Sequence, residues 1–176
     1  MSAKHNHVQK LVFSALLAAL TCVCTMVIQI PAIGTGGYIN LGDSIVLLCA
    51  WYVGGFYGAA AAGIGSMMAD IFSGYAIYAP ATFIIKALMA LAAWAVFSRL
   101  RNHKGQCLGA IAAAMIMMTG YLLFEALFMG YGAGALAAMP GNLIQGFTGA
   151  VSGIFLSFVM EKNAFLKKLL QMGKSK

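Results

Sequence analysis

Long runs of apolar residues with almost no charge are the feature that most constrains this chain. Of its 176 residues, 62% are hydrophobic and only 9% are charged. A water-soluble domain of this length could not cover its surface with so few charges, and several of the runs approach the roughly 20 residues that a spanning helix needs. We therefore predict an all-α integral membrane protein with a single transmembrane domain over residues 1–176.

Hydropathy and glycine or proline breaks divide the chain into six predicted helices. The second is short, since about 13 apolar residues rise only ~20 Å against a ~30 Å hydrocarbon core. A five-helix alternative fuses residues 40–72 into one long helix. The basic N-terminal segment suggests a signal peptide, but its apolar run is too long, and we expect no cleavage. The helices are predicted near residues 8–30, 40–53, 55–73, 79–98, 107–129 and 139–161, with a basic tail at 162–176.

The basic residues favour six helices over five. Six helices place ten of the eleven Lys and Arg residues on one side of the membrane. Five helices would put the RLRNHK loop opposite the N-terminus. The positive-inside rule therefore predicts a tight turn at Gly54–Gly55 and two cytoplasmic termini. These charges would meet anionic lipid and require no nucleic-acid partner. The ten residues are Lys4, Lys10, Arg99, Arg101, Lys104, Lys162, Lys167, Lys168, Lys174 and Lys176.

The eleventh basic residue, Lys86, belongs to a group of polar residues in the outer half of the predicted membrane region. A charge at the bilayer centre costs roughly 2.5–3.5 kcal/mol on insertion scales, so such residues usually face a cavity, a partner or a substrate path. The group is spread over several helices and outer loops, which predicts an outward-facing pocket for a small ligand. The candidate substrate-binding residues are Asn40, Asp43, Asp70, Tyr75, Tyr78, Lys86, Glu125, Asn142 and Gln145.

Purely structural roles for these residues are the alternative. Asp70 and Lys86 would then form an ion pair, Asp43 would stabilise the first turn of helix 2, and the loop tyrosines would belong to an interfacial aromatic belt. The clustering at one depth favours a ligand site, in which Lys86 pairs with Asp70 while the site is empty. Trp51, near the inner end of helix 2, is the weakest candidate for stacking on a ligand.

Motifs for catalysis and metal binding are missing from the sequence. It contains no GxxxxGK[ST] phosphate-binding loop. Its three histidines all lie in the basic segments, which excludes an intramembrane Ser–His dyad, and metal-ligand spacing is absent. The four cysteines lie inside apolar segments as small hydrophobic residues. We expect no enzymatic activity, no metal and no cofactor.

Small residues at a spacing of four predict close helix–helix contacts. Helix 1 carries Ala15 and Ala19, overlapping Ser14 and Ala18, and helix 6 carries a Gly149-x-x-x-Gly153 motif. Such faces let helices approach closely in lipid, where packing drives association. For helix 1 the sequence leaves open whether its small face meets the rest of the chain or another protein.

Two stretches resemble a known family: GYINLGDSIVLL, and GAAAAGIGSMMADIFSGYAIYAPATFIIKALMA after it. They are similar to the substrate-binding S components of energy-coupling factor (ECF) vitamin transporters, in the group for riboflavin, hydroxymethylpyrimidine and pyridoxine uptake. The resemblance covers nearly the whole chain. It implies a six-helix subunit of the bacterial cell membrane that captures a vitamin outside, joins a transmembrane coupling protein and two cytoplasmic ATPases, and topples to deliver its cargo. It also implies that Ala15 and Ala19 contact the coupling protein.

The predicted pocket holds three acidic residues and one lysine, which suits a neutral or mildly cationic heterocycle better than an anion. Pyridoxine or hydroxymethylpyrimidine is therefore favoured, and riboflavin comes next. Two other functions remain open: a free-standing facilitator or proton-coupled exchanger that uses Asp70 or Glu125, and a purely structural membrane subunit.

Overall fold

A computed structural model describes residues 3–32 and 34–163, with side chains from His7 onward. Six helical segments and one short β-hairpin make up this part of the chain. The predicted boundaries of the helices agree with the observed ones within about five residues. The elements are α1 (Ala3–Val27), β1 (Gln29–Pro31), β2 (Tyr38–Asn40), α2 (Asp43–Leu48) with a π-helical extension (Cys49–Val53), α3 (Gly55–Phe72), α4 (Ala79–Leu100), α5 (His103–Leu123) with a π-helical extension (Phe124–Phe128), a 3-10 helix (Gly132–Ala138) and α6 (Met139–Lys162).

Four helical stretches in the described residues are long and apolar enough to cross a membrane. They comprise α1, α4, α5 with its extension, and α6 with the 3-10 helix before it. This confirms a mostly helical membrane protein. The count of six spans and the side on which the termini lie stay predictions, and the predicted basic tail beyond Asn163 lies outside the described residues.

The short helix α2 is the central element of the bundle. Every residue from Asp43 to Val53 is buried, and α2 packs against α1, α4 and α6. Its six α-helical and five π-helical residues rise about 16 Å. Because α2 is enclosed by the other helices, its length does not have to match the thickness of the bilayer.

Glycines allow α6 and α3 to pack closely against their neighbours. A Cβ atom on Gly149 would lie 2.7 Å from the Cβ atom of Asp43, so α6 is in direct contact with the first turn of α2. Gly54 and Gly55 have φ angles of 66° and 52°, which only glycine adopts readily, and they form the predicted tight turn between α2 and α3. The GxxxG face of helix 6 is therefore used inside the molecule.

A short β-hairpin that the sequence did not predict interrupts the otherwise helical chain between α1 and α2. Strands β1 and β2 are antiparallel, with Gln29 opposite Asn40 and Pro31 opposite Tyr38. Helix 1 was expected to reach residue 30 and helix 2 to begin at residue 40, but the helices end and begin three residues away from these positions. Pro31 cannot continue a helix, and Gly34, at φ 80°, allows the chain to reverse.

The two overlapping small faces of α1 have different environments. Ser14 is buried, and Ala18 packs on α3, where a Cβ atom on Gly65 would lie only 2.3 Å from the carbonyl oxygen of Ala18. Ala15 and Ala19 are exposed on the outside of the bundle. The structure thus assigns one face to internal packing and leaves the other accessible.

Candidate functional site

A cavity opens at the end of the bundle that carries the hairpin. About 430 Å³ of space not filled by atoms lies within it, a volume that includes open solvent at its mouth. The hairpin, the five helices α1, α3, α4, α5 and α6, and the π-helical extension of α5 all contribute residues to its lining. The lining residues are Thr25, Ala32, Gly37, Tyr38, Asn40, Ser66, Asp70, Tyr78, Thr82, Lys86, Tyr121, Glu125 and Asn142.

The structure brings together the residues that the sequence predicted for the site. Of the nine candidates, Asn40, Asp70, Tyr78, Lys86, Glu125 and Asn142 line the cavity. The other three, Asp43, Tyr75 and Gln145, contact lining residues from behind.

Lys86 forms a buried ion pair with Asp43. Gln145 completes the arrangement, since its Nε2 atom donates to Asp43 Oδ2 at 2.9 Å and its Oε1 atom accepts from the backbone N–H of Asn40 at 3.0 Å. The expected pairing of Lys86 with Asp70 is therefore wrong. The start of α2 lies deep in the bundle, where Asp43 neutralises the lysine.

Asp70 and Glu125 each accept a hydrogen bond from a tyrosine. The hydroxyl of Tyr38 donates to Asp70 Oδ1 at 2.6 Å, and that of Tyr78 donates to Glu125 Oε1 at 3.2 Å. The Tyr38 ring in turn packs on Tyr75, with a centroid distance of 4.4 Å. Tyr38 of the hairpin is thus the partner of Asp70, a role that the sequence predicted for Lys86.

The second oxygen of each carboxylate is left without a hydrogen bond. Among the described residues, Asp70 Oδ2 and Glu125 Oε2 are buried and unpaired, although the Thr82 and Thr35 hydroxyls lie nearby. An unpaired buried polar group costs about 1–3 kcal/mol, so a cluster of them requires an explanation. Six buried side-chain atoms in the described part of the chain are unpaired, and four of them line this cavity: Thr25 Oγ1, Ser66 Oγ, Asp70 Oδ2 and Glu125 Oε2.

Local backbone geometry helps to position these groups. Glu125 lies in the π-helical extension of α5, where an added residue per turn rotates the side chains relative to the α-helix before it. Asp70 lies in the last turn of α3, facing the hairpin. The cavity therefore presents hydrogen-bond acceptors and hydroxyls to whatever occupies it.

Sequence reasoning missed several lining residues. Ser66 lies one turn before Asp70 on α3, and this spacing could have identified it. Tyr38 stands inside the quoted GYINLGD stretch, but its role depends on a hairpin that was not predicted. No pattern in the sequence marked Thr25 as a lining residue. Trp51, the weakest stacking candidate, instead packs against Phe97 with a centroid distance of 6.4 Å.

The family of the chain follows from comparison with known proteins. Residues 5–162 match the model of the family described as ECF-type riboflavin transporter, S component. The chain belongs to this family. It is therefore a substrate-binding subunit of an ECF transporter and part of a family of membrane transporter components, not of enzymes. Membership implies a vitamin as substrate and an ECF motor as partner in general terms.

The chain is also similar to a curated protein and to a solved structure. A protein of Pyrococcus woesei, named as an uncharacterized protein in a gap 3′ region, is 32% identical over 142 residues, covering 80% of this chain and 93% of its own length. A solved structure, described as the S component of a bacterial ECF transporter, matches with a TM-score of 0.69 and 21% identity. That match covers 92% of this chain and 99% of the other. At this identity the second match shows the shared fold.

Proposed function

We propose that this S component captures a neutral, donor-rich heterocyclic vitamin in the cavity beside the hairpin, with riboflavin as the first candidate. The observation that carries the proposal is the group of unpaired oxygens in the cavity wall. Two of them, Asp70 Oδ2 and Glu125 Oε2, belong to carboxyl groups already bonded to tyrosines. A ligand that donates hydrogen bonds to these oxygens would satisfy groups that are otherwise costly to bury.

The charges of the site favour a ligand without negative charge. Lys86 is neutralised by Asp43, so it does not provide a free cation for an anionic group. Asp70 and Glu125 add acceptors to the wall. Pyridoxine and hydroxymethylpyrimidine, favoured by the charge count of the sequence, meet this condition, and so does riboflavin. Because the matching family is described as riboflavin transporters, we propose riboflavin ahead of the other two.

The proposal extends to the partners and the membrane orientation. Ala15 and Ala19 are exposed on α1, as a contact surface for the transmembrane coupling protein requires, and two cytoplasmic ATPases would supply the energy. Six spans with both termini in the cytoplasm are supported by the distribution of basic residues. We assign the protein to the cytoplasmic membrane of the cell.

Calorimetric titration of the purified protein in detergent with riboflavin, pyridoxine and hydroxymethylpyrimidine tests this function. We expect riboflavin to bind without ATP or partners. Asp70→Asn and Glu125→Gln should each lower the affinity by about 10-fold or more, because a hydrogen bond to a charged group contributes about 1.5–3 kcal/mol. Glu161→Gln is the matched control, since Glu161 is exposed near the end of α6 and should leave affinity unchanged.

Two results would contradict the proposal. Wild-type affinity in both Asp70→Asn and Glu125→Gln would show that the cavity is not the binding site. If none of the compounds binds, and liposomes that contain the chain alone move solute or protons, the proton-coupled exchanger becomes the better explanation. That alternative would use the same free oxygens of Asp70 or Glu125 as titrating groups.

A further inference from the structure

A second cavity, the α5–α6 cleft, shares no lining residue with the candidate site. About 190 Å³ of space not filled by atoms lies within it, a volume that includes the open space at its mouth. Leu47 and Met89, each 2% exposed, form its deep end. Asp43 also contributes to its wall, but the carboxylate of Asp43 is bonded to Lys86 and Gln145. The cleft therefore offers mainly apolar surface to an occupant. Its lining residues are Asp43, Leu47, Met89, Ala110, Ala113, Ala114, Gly146 and Ala150.

The cleft opens toward lipid between α5 and α6. Ala114 on α5 and Ala150 on α6 are half-buried and form its rim. Beside them, Ile111 and Val151 are 56% and 53% exposed. Both helices belong to stretches that are long and apolar enough to cross a membrane. Apolar side chains exposed along such helices face hydrocarbon, so an acyl chain of the bilayer is the occupant that can reach the cleft.

The ends of these two helices on one side of the molecule carry positive charge. Gln106 Nε2 donates to Ser157 Oγ at 2.7 Å, which joins the start of α5 to the end of α6. Lys104 and Lys162 are exposed there, and Lys162 Nζ lies 4.2 Å from the centroid of the Phe158 ring. The N-terminus of α5 adds the positive end of the helix dipole. This end of the helix pair is thus complementary to an anionic headgroup.

The distance between the charges and the cleft matches the length of a lipid chain. Ala110 is six residues beyond Lys104 on α5, and Ala150 is twelve residues before Lys162 on α6. At 1.5 Å per residue these separations are about 9 and 18 Å. Half of the hydrocarbon core is about 15 Å thick. A lipid whose headgroup lies at the two lysines would therefore bring its acyl chain to the level of the cleft.

We propose that an anionic phospholipid of the surrounding bilayer binds between α5 and α6, with its headgroup at Lys104 and Lys162 and one acyl chain in the α5–α6 cleft. Glu161 also lies at this end, and it accepts a hydrogen bond from Tyr52 at 3.3 Å. With Glu161 counted, the two lysines still leave the site with net positive charge. This inference concerns a lipid, and it does not depend on which vitamin the protein captures.

The test titrates the full-length protein in detergent with phosphatidylglycerol or phosphatidylcholine that carry the same acyl chains. Binding is measured by native mass spectrometry, and the lipid that binds should also raise the unfolding temperature by mass action. We expect phosphatidylglycerol to bind more tightly. Lys104→Gln and Lys162→Gln should each lower its affinity by about 5-fold and leave that of phosphatidylcholine unchanged. Ala114→Leu fills the mouth of the cleft and should weaken both lipids by about 10-fold, because buried methylene groups are lost.

Matched controls separate the cleft from general contact with lipid. Arg99→Gln removes an exposed positive charge from the last turn of α4, outside the cleft. Ala19→Leu enlarges an exposed alanine on α1. Neither control should change the affinity for either lipid. Ala150→Leu fills the cleft from α6 and replaces Ala114→Leu if that variant does not fold.

The outcomes also separate this inference from the proposed function. Equal affinity of the wild-type protein for the two lipids would overturn the headgroup site. Wild-type lipid affinity in a folded Ala114→Leu or Ala150→Leu variant would overturn the acyl-chain site. Riboflavin binding is measured on the same preparations. If riboflavin does not bind but the lipid results hold, vitamin capture as proposed fails and the lipid site stands.

Discussion

The acidic residues near the cavity differ in whether a carboxylate oxygen remains available to accept a hydrogen bond from a ligand. The chain contains four acidic residues, and three of them lie at this end of the bundle. Asp43 is occupied by Lys86 and Gln145. Asp70 and Glu125 each bond one tyrosine and keep one buried oxygen that has no partner in the described part of the chain. Asp43 therefore helps to shape the cavity, and we expect Asp70 and Glu125 to bond the ligand.

The ion pair leads to a prediction about stability. Removal of one partner leaves an uncompensated buried charge, so Asp43→Asn or Lys86→Met alone should lower the free energy of unfolding by about 3–5 kcal/mol. The double substitution should recover most of this loss, since a buried pair contributes little net stability relative to neutral groups of similar size. Unfolding of all four proteins in detergent measures the coupling. Purely additive losses would show that the two side chains do not depend on each other.

At the element scale, the short central helix and the hairpin act together. The hairpin comes directly before the short helix α2 in the chain, and it brings Tyr38 and Asn40 to the cavity. It is attached to α3 by Tyr38 and by Gln29, whose Nε2 atom donates to Ser73 Oγ at 2.8 Å. Non-helical backbone inside a membrane protein is tolerated where it lines a cavity, and the hairpin fulfils this condition.

The order of the helices predicts which turns face the cytoplasm. In a variant without its native cysteines, Lys104→Cys, in the first turn of α5, should react with a membrane-impermeant maleimide only after cells are permeabilised. Ala76→Cys, in the loop between α3 and α4, should react in intact cells. Both positions are exposed, so labelling reports the side of the membrane. The reverse pattern would contradict the orientation with cytoplasmic termini.

In the molecule as a whole, helix α1 contributes both to internal packing and to an exposed surface. Ala18 packs against Gly65 inside the bundle, while Ala15 and Ala19 remain exposed. Small exposed residues allow a partner helix to approach closely in lipid. The cavity and this surface are distinct parts of the molecule, so capture and coupling should be separable by mutation.

Ala15→Trp should therefore abolish ATP-dependent vitamin uptake when the chain is produced together with a coupling protein and ATPases. Vitamin binding by the purified variant should stay at the wild-type level, because Ala15 is remote from the cavity lining. Met115→Trp, at an exposed position on α5, is the control and should retain uptake. Uptake by the wild-type chain without the motor, or normal uptake by Ala15→Trp, would refute this assignment.

The amino-acid sequence alone predicts a mostly helical membrane protein, and the structure confirms this. Apolar runs of membrane length mark α1, α4, α5 and α6, because hydrocarbon demands apolar side chains and internally bonded backbone. Charged residues are costly there, and this cost is the reason for predicting a binding site from their positions. Six of the nine predicted residues line it, and the other three contact that lining.

The pairing of the side chains depends on how the helices are arranged in three dimensions. Whether Lys86 bonds Asp43 or Asp70 depends on the relative rotation of three helices, and apolar residues nearly all round a helix leave its rotation undetermined. The hairpin forms by strand pairing across a glycine-rich loop. It brings Tyr38 close enough to donate a hydrogen bond to Asp70. Likewise, only the three-dimensional structure shows that the Thr25 and Ser66 hydroxyls have no partner among the described residues, because the absence of a bond depends on every neighbour at once.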